Sequence, residues 1–458
     1  MRWLRALDRH WFEPARTSDL AVARMLVVGS QLLLFLPDLA EQYWLASIDA
    51  SLFRPLPALK VLMLPFGEWG ARPDVMILRG AWVLAVVSGA TGIMGLYTRP
   101  SLLAFAAANT LLAAHGYSYG EYHHPEWLMI IALWLLAMAP AGRALSVDDL
   151  RGRITASLRF MTFRPRRPTD EYSGMARWPL RTIQWLFVLV YLSAGLSKLR
   201  NGGLEWMNGH TLSYYLMMDG VRWNMPWALP LAEQTELLAV LSVGAVAFEM
   251  TFALAVLVPR LAWPYVLIGA ALHTGIFLTQ RAPFFQFVVL YVAFLEALRQ
   301  HNPFRTFLAR RNRSRRWTVI YDGLCPRCIR SMVVLDYGNI GNRLAALDLE
   351  SEWSQAAMML HGISQEEARH SMHVVAPDGG IHRGFHAFRA LARALPALWP
   401  ILPLFHLPLA DRIGARIYGG MAARRSRVCT VETCSGAGAG SPSDGALKAG
   451  PSRAAVRR

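Results

Sequence analysis

The pattern of apolar and polar positions divides the chain into two regimes. Up to about residue 300, apolar residues come in long runs, at roughly 20–36, 77–97, 101–115, 126–140, 180–198, 236–258, 263–280 and 283–298. Several runs fall short of the ~20 residues that a bilayer core asks of a helix. The pattern therefore predicts about eight spans with soft boundaries, and seven or nine are compatible with it. Ser51 to Phe66 is apolar but interrupted by Pro55, Pro57 and Pro65, so it reads as an interfacial or re-entrant piece. Beyond residue 316 the period changes. A β-branched strand candidate, Trp317 to Tyr321, leads through Asp322-Gly323-Leu324-Cys325-Pro326-Arg327-Cys328 into Ile329, Met332 and Val333, whose spacing is one helix face. A second strand is expected at Leu344 to Leu349, then a hairpin from Met372 to Gly384 turning on Asp378-Gly379-Gly380, then a helix from about Phe385. Leu395 to Leu409 is apolar yet carries Pro396, Pro400, Pro403 and Pro408, which suits a lid or a bilayer-lying surface better than a span.

The fold class that follows is mainly α, a polytopic helical membrane bundle followed by a small α/β domain. The expected units are a transmembrane domain at 1–300, a basic linker at 301–316, the α/β domain at 317–428 and a disordered tail at 429–458 rich in Gly, Ala, Ser and Pro. Composition agrees, with 54% hydrophobic and 17% charged residues. A net charge of +16 would suit nucleic acid, but the arginines gather beside the apolar runs without a nucleic-acid motif, so no nucleic acid is expected. Eight arginines lie between 143 and 177 and seven between 299 and 316, whereas 37–76, 116–125 and 199–235 are poor in Lys and Arg. The positive-inside rule then places both termini and the α/β domain in the cytoplasm of a multi-pass cell-membrane protein. Arg2, Arg5, Arg9 and Arg16 precede Leu20 to Leu36, which holds Arg24 and lacks a small-residue cleavage site; it reads as an uncleaved first span.

All four cysteines lie after residue 324. A helix N-terminus favours a thiolate over a thiol, and Arg327 adds positive charge between the sulfurs. Cys325 is thus the expected nucleophile, and Cys328, one turn on, the resolving thiol of a two-thiol exchange cycle. Two other readings compete, half of a zinc site and two unrelated cysteines. Zinc would need two further ligands, and a pair at finger spacing is absent, so no metal is assigned. Asp322 is either the N-cap of that helix or a proton acceptor for Cys328. Cys429 and Cys434 form a second pair: an accessory redox dithiol, part of a four-cysteine metal site, or accidental thiols. A cytosolic dithiol faces the glutathione and thioredoxin pool, so it would rest reduced and exchange with a protein thiol partner.

Polar residues inside the apolar runs are few: Arg24, Glu249, His273 and, at a span end, Lys198. Glu249 and His273 are expected as a buried pair, serving either as an interhelical hydrogen bond or as a proton route. Arg24 reads as a packing or headgroup residue, and Lys198 by itself as a lysine snorkelling to the interface.

Two resemblances sharpen this. Asp-Gly-x-Cys-x-x-Cys directly after a strand resembles the signature of the DCC-type thiol-disulfide oxidoreductase family, whose fold is thioredoxin-like. The likeness covers about 317 to 425 and implies Asp322, Cys325 and Cys328 as the site. It departs from thioredoxins before Met372, where no proline stands at the place of their cis-proline. In the apolar part, Ala194-Gly195-x-x-Lys198-Leu199 followed by Trp206-x-x-Gly209 resembles the membrane domain of vitamin K-dependent γ-carboxylases and its bacterial relatives, the HTTM family. That likeness runs from about Thr17 to Leu298, through Tyr117 to His124, Ala139-Pro140-Ala141-Gly142 and Leu272-His273-Thr274-Gly275. It implies Lys198 as the base that deprotonates a hydroquinone, and His123 or His124 and His273 as the family's histidines. Glu249 and Trp206 are further candidate ligand contacts, and the bound partner would be a membrane lipid or quinone, the one cofactor candidate. The large lumenal domain of the carboxylases has no counterpart, so glutamate carboxylation is not expected.

Three functions are open to such a chain. The first is a membrane thiol-disulfide oxidoreductase of the protein-disulfide reductase type, its membrane domain holding a quinone-like or lipid ligand. The second is a quinone- or lipid-modifying enzyme centred on Lys198. The third is a non-enzymatic, redox-sensing transporter or assembly factor.

Overall fold

A computed structural model describes residues 2–67, 71–120, 124–165, 172–301, 316–339 and 343–424. Each apolar run of the first 300 residues is helical. The principal helices are α1 (Thr17–Leu33), α2 (Val75–Met94), α3 (Thr98–Tyr117), α4 (His124–Met138), α5 (Val147–Arg159), α6 (Arg177–Gly202), α7 (Thr235–Thr251) and α8 (Ala262–Gln280). Among the described residues, however, three stretches rather than eight are long and apolar enough to cross a membrane: Val75–Met94, Gly174–Met207 and Pro259–Gln280. The reasons are local. α1 buries Asp19, Arg24 and Gln31, and α3 carries Arg99, Asn109 and His115. The run over 236–258 breaks at Phe252 into α7 and Ala253–Leu257, and the run over 283–298 falls into Phe285–Leu290, a 3-10 turn at Tyr291–Phe294 and Leu295–His301. Hydropathy runs thus overstate the spans because polar groups inside them are satisfied by neighbouring helices, as where Gln31 Nε2 donates to Asn109 Oδ1 at 2.9 Å.

α2 begins where the Asp74 carboxylate accepts from the Ile77 N–H at 2.8 Å. After Leu78, its buried face is made of small residues, Ala81, Ala85, Ser88, Gly89 and Gly92. A Cβ at Gly89 would press on the Phe105 ring and one at Gly92 on Leu102, so the small side chains let α3 close onto α2. The helix ends at Gly95 with φ +66°, in the left-handed region that favours glycine. That site is also crowded, because a Cβ there would meet Ser146 and the Arg24 guanidinium.

Arg24 is fully buried. Its Nη1 donates to Ala141 O at 2.7 Å, and its Nη2 to Ile93 O at 3.4 Å and to Leu145 O. These carbonyls lie at the end of α2 and in the turn between α4 and α5, so a cation inside an apolar run stabilises the negative end of a helix and a buried turn. The start of α5, which follows that turn, is tied to α3 by Asp148, whose carboxylate accepts from Tyr97 N, Thr98 N and Thr98 Oγ1 at 3.0, 2.7 and 2.7 Å.

The C-terminal domain comprises β1 (Trp317–Tyr321), α9 (Pro326–Tyr337), β2 (Leu344–Asp348), β3 (His373–Val375), β4 (Ile381–Arg383), α10 (Gly384–Ala394) and α11 (Ala410–Ala423), with two short helices, Glu352–His361 and Gln365–His370, between β2 and β3. The sheet order is β2-β1-β3-β4, with β1 parallel to β2 and the other two pairs antiparallel. Alternation along β1 sets the two cores. Val319 and Tyr321 pack with Met332, Leu335, Val374 and Leu391 on one face, while Ile320 packs with Leu349, Met358 and Val375 on the other. The strands, hairpin and Cys-x-x-Cys helix fall where the sequence places them. The proline-rich stretch is a 3-10 run, Pro396–His406; the missing N–H groups of Pro400 and Pro403 bar a regular α-helix there. α11 is an element the sequence reading does not anticipate.

The two regions meet at α5 and the C-terminal end of α9. Tyr337 Oη accepts from Ser146 N and donates to Ser146 O at 2.8 Å, and Arg153 lies 3.7 Å from Asp336. The Phe163 and Tyr321 rings meet edge-on at 5.6 Å. α6 starts on this side of the bundle, its lead-in residue Ser173 receiving a bond from Arg143. From Arg177 to Lys198 it rises roughly 31 Å at ~1.5 Å per residue, so Lys198 stands at the far end.

Candidate functional site

The strand-to-helix turn of the C-terminal domain is built by short-range bonds. Asp322 Oδ1 accepts from Leu324 N at 3.0 Å, closing the turn after β1. Asp348, from the end of β2, accepts from Gly323 N at 3.2 Å, and a Cβ at Gly323 would run into that carboxylate. The N-cap of α9 is Cys325 itself, extended at φ −101° and ψ 113°, with Sγ accepting from Cys328 N at 3.3 Å. Asp322 is therefore a turn residue and not the helix cap. Pro326 follows at the first helical position, where its missing N–H costs nothing.

The two sulfurs sit in different surroundings. Cys325 is fully buried, while Cys328 is half-buried and lines a cavity of about 730 Å³. The Cys325 thiol is lowered from 9.0 to about 6. A hydrogen bond from the Cys328 thiol contributes most, and the N–H groups of Cys328 and Arg327 add to it, against burial and the charge of Asp322. The acidic sulfur is thus the enclosed one, and the reachable sulfur is its hydrogen-bond donor. Position on the helix, which is all that sequence offers, separates neither property.

The cavity lies between α9 and a cover formed by the 3-10 run and α11, through Leu398, Phe405, Ile417 and Tyr418. Tyr418 Oη also accepts from Met372 N at 2.8 Å, just before β3. Of the charged residues at the cavity, four are arginines, Arg327, Arg330, Arg416 and Arg424, and one is acidic, Asp322. Sequence reasoning offered the proline-rich stretch as a lid or a bilayer-lying surface, and it missed α11 and Asp348. The signal available for α11 was the apolar spacing of Ile413, Ile417 and Met421, masked by Gly414, Gly419 and Gly420.

At the far end of the bundle, Lys198 Nζ lies 2.6 and 2.7 Å from the two carboxylate oxygens of Glu249, and 5.2 Å from the centre of the Trp206 ring. Two glycines allow this. A Cβ at Gly195 would meet Met250 and Glu249, and one at Gly209 would strike the α7 backbone at Thr235 and Ala239. Lys198, Trp206 and Glu249 are therefore brought together, though Lys198 is half of an ion pair and not isolated in an apolar pocket. Glu249 does not pair with His273 as the sequence reading expects. His273 Nε2 lies 2.7 Å from Tyr191 Oη, which lies 2.6 Å from Tyr291 Oη, within a cluster of rings that includes Phe187, Phe248 and Phe287. The reason is helical phase, since Lys198 lies seven residues beyond Tyr191 on α6, one face and about two turns apart. His123, Cys429 and Cys434 lie outside the described residues, as does the side chain of His124.

Comparison with known proteins gives two matches. A family model for the HTTM domain matches residues 12–297, and a model for DCC1-like thiol-disulfide oxidoreductases matches residues 319–430. No curated protein and no solved structure matches the chain. With helices long and apolar enough to span a membrane and a small mixed sheet following them, the chain belongs to the HTTM family and carries a DCC1-like thiol-disulfide oxidoreductase domain after its membrane domain.

Proposed function

We propose that this protein is an integral membrane thiol-disulfide oxidoreductase of the protein-disulfide reductase type, working through Cys325 and Cys328. The observation that carries the reading is the division of labour between the sulfurs, one acidic and enclosed at the N-terminus of α9, the other reachable from a cavity. The sheet order β2-β1-β3-β4, with the dithiol between a strand and the next helix, supports a thioredoxin-like domain.

The cycle begins when Cys328 passes its thiol proton to the Cys325 thiolate. The Cys328 thiolate attacks a partner disulfide, the partner's S–S bond breaks, and its second sulfur leaves to take a proton. Cys325, deprotonated again, attacks Cys328 Sγ and expels the partner's first sulfur. The domain ends as the Cys325–Cys328 disulfide and the partner as a dithiol, two electrons having moved. In the reverse direction an incoming thiolate attacks Cys328 Sγ and Cys325 leaves, a good leaving group because of its acidity. Helix position alone assigned these roles the other way round, with Cys325 meeting the partner. Cys325→Ser is expected to accumulate mixed disulfides at Cys328 on non-reducing gels of acid-quenched membranes, and Cys328→Ser to give few or none. The opposite pattern would restore Cys325 as the partner-facing sulfur, and adducts in neither variant would remove the oxidoreductase reading.

The forked Lys198–Glu249 pair beneath Trp206 favours a second role for the membrane domain, binding and deprotonating a quinone-like or lipid molecule. Lys198, gripped at 2.6 and 2.7 Å by both carboxylate oxygens of Glu249, is the amine that would meet such a molecule beside the Trp206 ring. Lys198→Ala is expected to lower the amount of quinone-like lipid that copurifies in mild detergent at least several-fold, with expression and the Cys325/Cys328 exchange unchanged. Mass spectrometry of the extract decides it, and an equal lipid content in both proteins removes Lys198 from the ligand site.

A further inference from the structure

A helix at Arg2–Phe12 precedes the bundle and is tied to it at one end. Trp185 Nε1 donates to His10 Nε2 at 2.9 Å, and Arg177 Nε, at the start of α6, donates to Glu13 O at 2.8 Å. At about 100° per residue, Trp3, Leu4, Leu7 and Trp11 share one side of this helix with His10, and Arg5 and Arg9 lie on the other. The side that meets Trp185 is therefore the side that carries Trp3, Leu4 and Leu7, yet these three are 67%, 50% and 52% exposed. The depth of that side follows from α6. The stretch Gly174–Met207 has 34 residues, against the ~20 that a bilayer core needs. Centred in a bilayer, it leaves about seven residues beyond the core at each end, so Arg177 stands among headgroups and Trp185 just inside the acyl region. From Glu13, held at Arg177, back to His10, held at Trp185, the contacts move along α6 toward the middle of the span and not away from it. The helix holds three arginines against one acid, Asp8. Arg5 and Arg9 are exposed, and among the described residues neither pairs with a carboxylate; Arg9 Nε donates to Arg5 O at 3.4 Å.

We infer that the Arg2–Phe12 helix is a binding surface for anionic phospholipid, with Trp3, Leu4 and Leu7 in the boundary between headgroups and acyl chains and Arg5 and Arg9 among the headgroups. It stands apart from the thiol and quinone readings above, since none of its residues belongs to either site. Exposed apolar side chains at the depth of Trp185 meet lipid where the bundle ends, and a tryptophan suits that level because one edge of its ring is apolar and the other carries an N–H. Arginines on the opposite side then point toward the headgroups, and each gains from a leaflet that carries negative charge. The bond from Trp185 and the grip of Arg177 on Glu13 fix the helix to the span, so the surface is held in place before any lipid arrives.

The test uses the full chain with Cys325, Cys328, Cys429 and Cys434 replaced by Ser. Leu7→Cys or Arg9→Cys is added, each at an exposed position, and labelled with a small fluorophore in nanodiscs of phosphatidylcholine and phosphatidylglycerol. The label at Leu7→Cys is expected to be quenched strongly by lipid bearing a nitroxide near the top of its acyl chain and weakly by aqueous acrylamide, and the label at Arg9→Cys the other way round. Equal access of acrylamide to both positions would overturn the inference, because the face would then lie in water. A Leu7→Cys label shielded from both quenchers would overturn it as well, since protein, from this chain or a second copy, would then cover the face. The headgroup contact is read by placing the nitroxide on one lipid at a time. At equal mole fractions, labelled phosphatidylglycerol is expected to quench the Leu7→Cys label about twofold or more above labelled phosphatidylcholine. Adding Arg5→Gln and Arg9→Gln is expected to remove that preference while the acyl-chain quenching remains. No preference in the chain that keeps both arginines, or one that survives their replacement, would remove Arg5 and Arg9 from the lipid contact.

Discussion

Arg24→Met is expected to be the most damaging single substitution in the membrane domain, costing about 3–5 kcal/mol of stability. A buried cation is often replaceable by an apolar residue without loss when its partner goes with it. Here the partners are Ala141 O, Ile93 O and Leu145 O, which are backbone and stay behind. Each would be left in an apolar interior, at roughly 1–3 kcal/mol apiece. The damage should spread, because Leu145 adjoins Ser146, which Tyr337 grips from the C-terminal domain. Thermal unfolding in detergent, followed by the monodisperse fraction, should show a large fall in midpoint. Arg24→Lys, which keeps one charge but cannot reach three carbonyls at once, should fall between the two. An unchanged midpoint in Arg24→Met would mean that the end of α2 and the turn before α5 are held by something other than the guanidinium.

The second large effect concerns pH. The Cys325 thiol ionises at about 6 instead of 9.0 because the Cys328 thiol and two backbone N–H groups donate to it. The sign follows from the depressed value. The extra stability of the reduced form is fully present above pH 9, declines as pH falls from 9 to 6, and is gone below about 6. The reduction potential of the Cys325–Cys328 couple should therefore fall by about 59 mV per pH unit below 6, where two protons accompany two electrons. Above 6, where one proton does, it should fall by about 30 mV per unit. Equilibration with glutathione buffers between pH 5 and 8, read by mass after alkylation, measures both slopes. A single slope with no change near pH 6 would remove the acidic thiol. Cys325→Ser is expected to abolish two-electron exchange entirely, since no intramolecular disulfide can form.

Much of the C-terminal domain is legible in sequence because its signals are local. The β-branched run at Trp317 to Tyr321, the turn at Asp378-Gly379-Gly380 and the helical spacing of Ile329, Met332 and Val333 each depend on neighbours a few residues away. The sequence-based span count goes astray for the opposite reason. A hydropathy run does not say whether Asp19, Gln31 or Asn109 is answered by another helix. Lys198 and Glu249 stand 51 residues apart, and Tyr191 and His273 stand 82 apart. Polarity marks each of these residues as unusual, yet only tertiary packing pairs Lys198 with Glu249 and Tyr191 with His273. Likewise, Asp322 and Cys325 both look like cap residues by type; which one caps α9 is settled by where the turn closes.

The enclosure of Cys325 has a bearing on oxidative damage. Peroxide acts on thiolates it can reach, carrying them through sulfenic to irreversible sulfinic acid. In this domain the more acidic sulfur is the buried one, and the Cys328 thiol donates a hydrogen bond to it. A peroxide molecule at the mouth of the cavity therefore meets Cys328 before the acidic Cys325, and a sulfenic acid formed at Cys328 is expected to be captured by Cys325 as a reversible disulfide. On the exchange reading proposed above, the domain is expected to withstand oxidants that would permanently disable a dithiol of the opposite polarity.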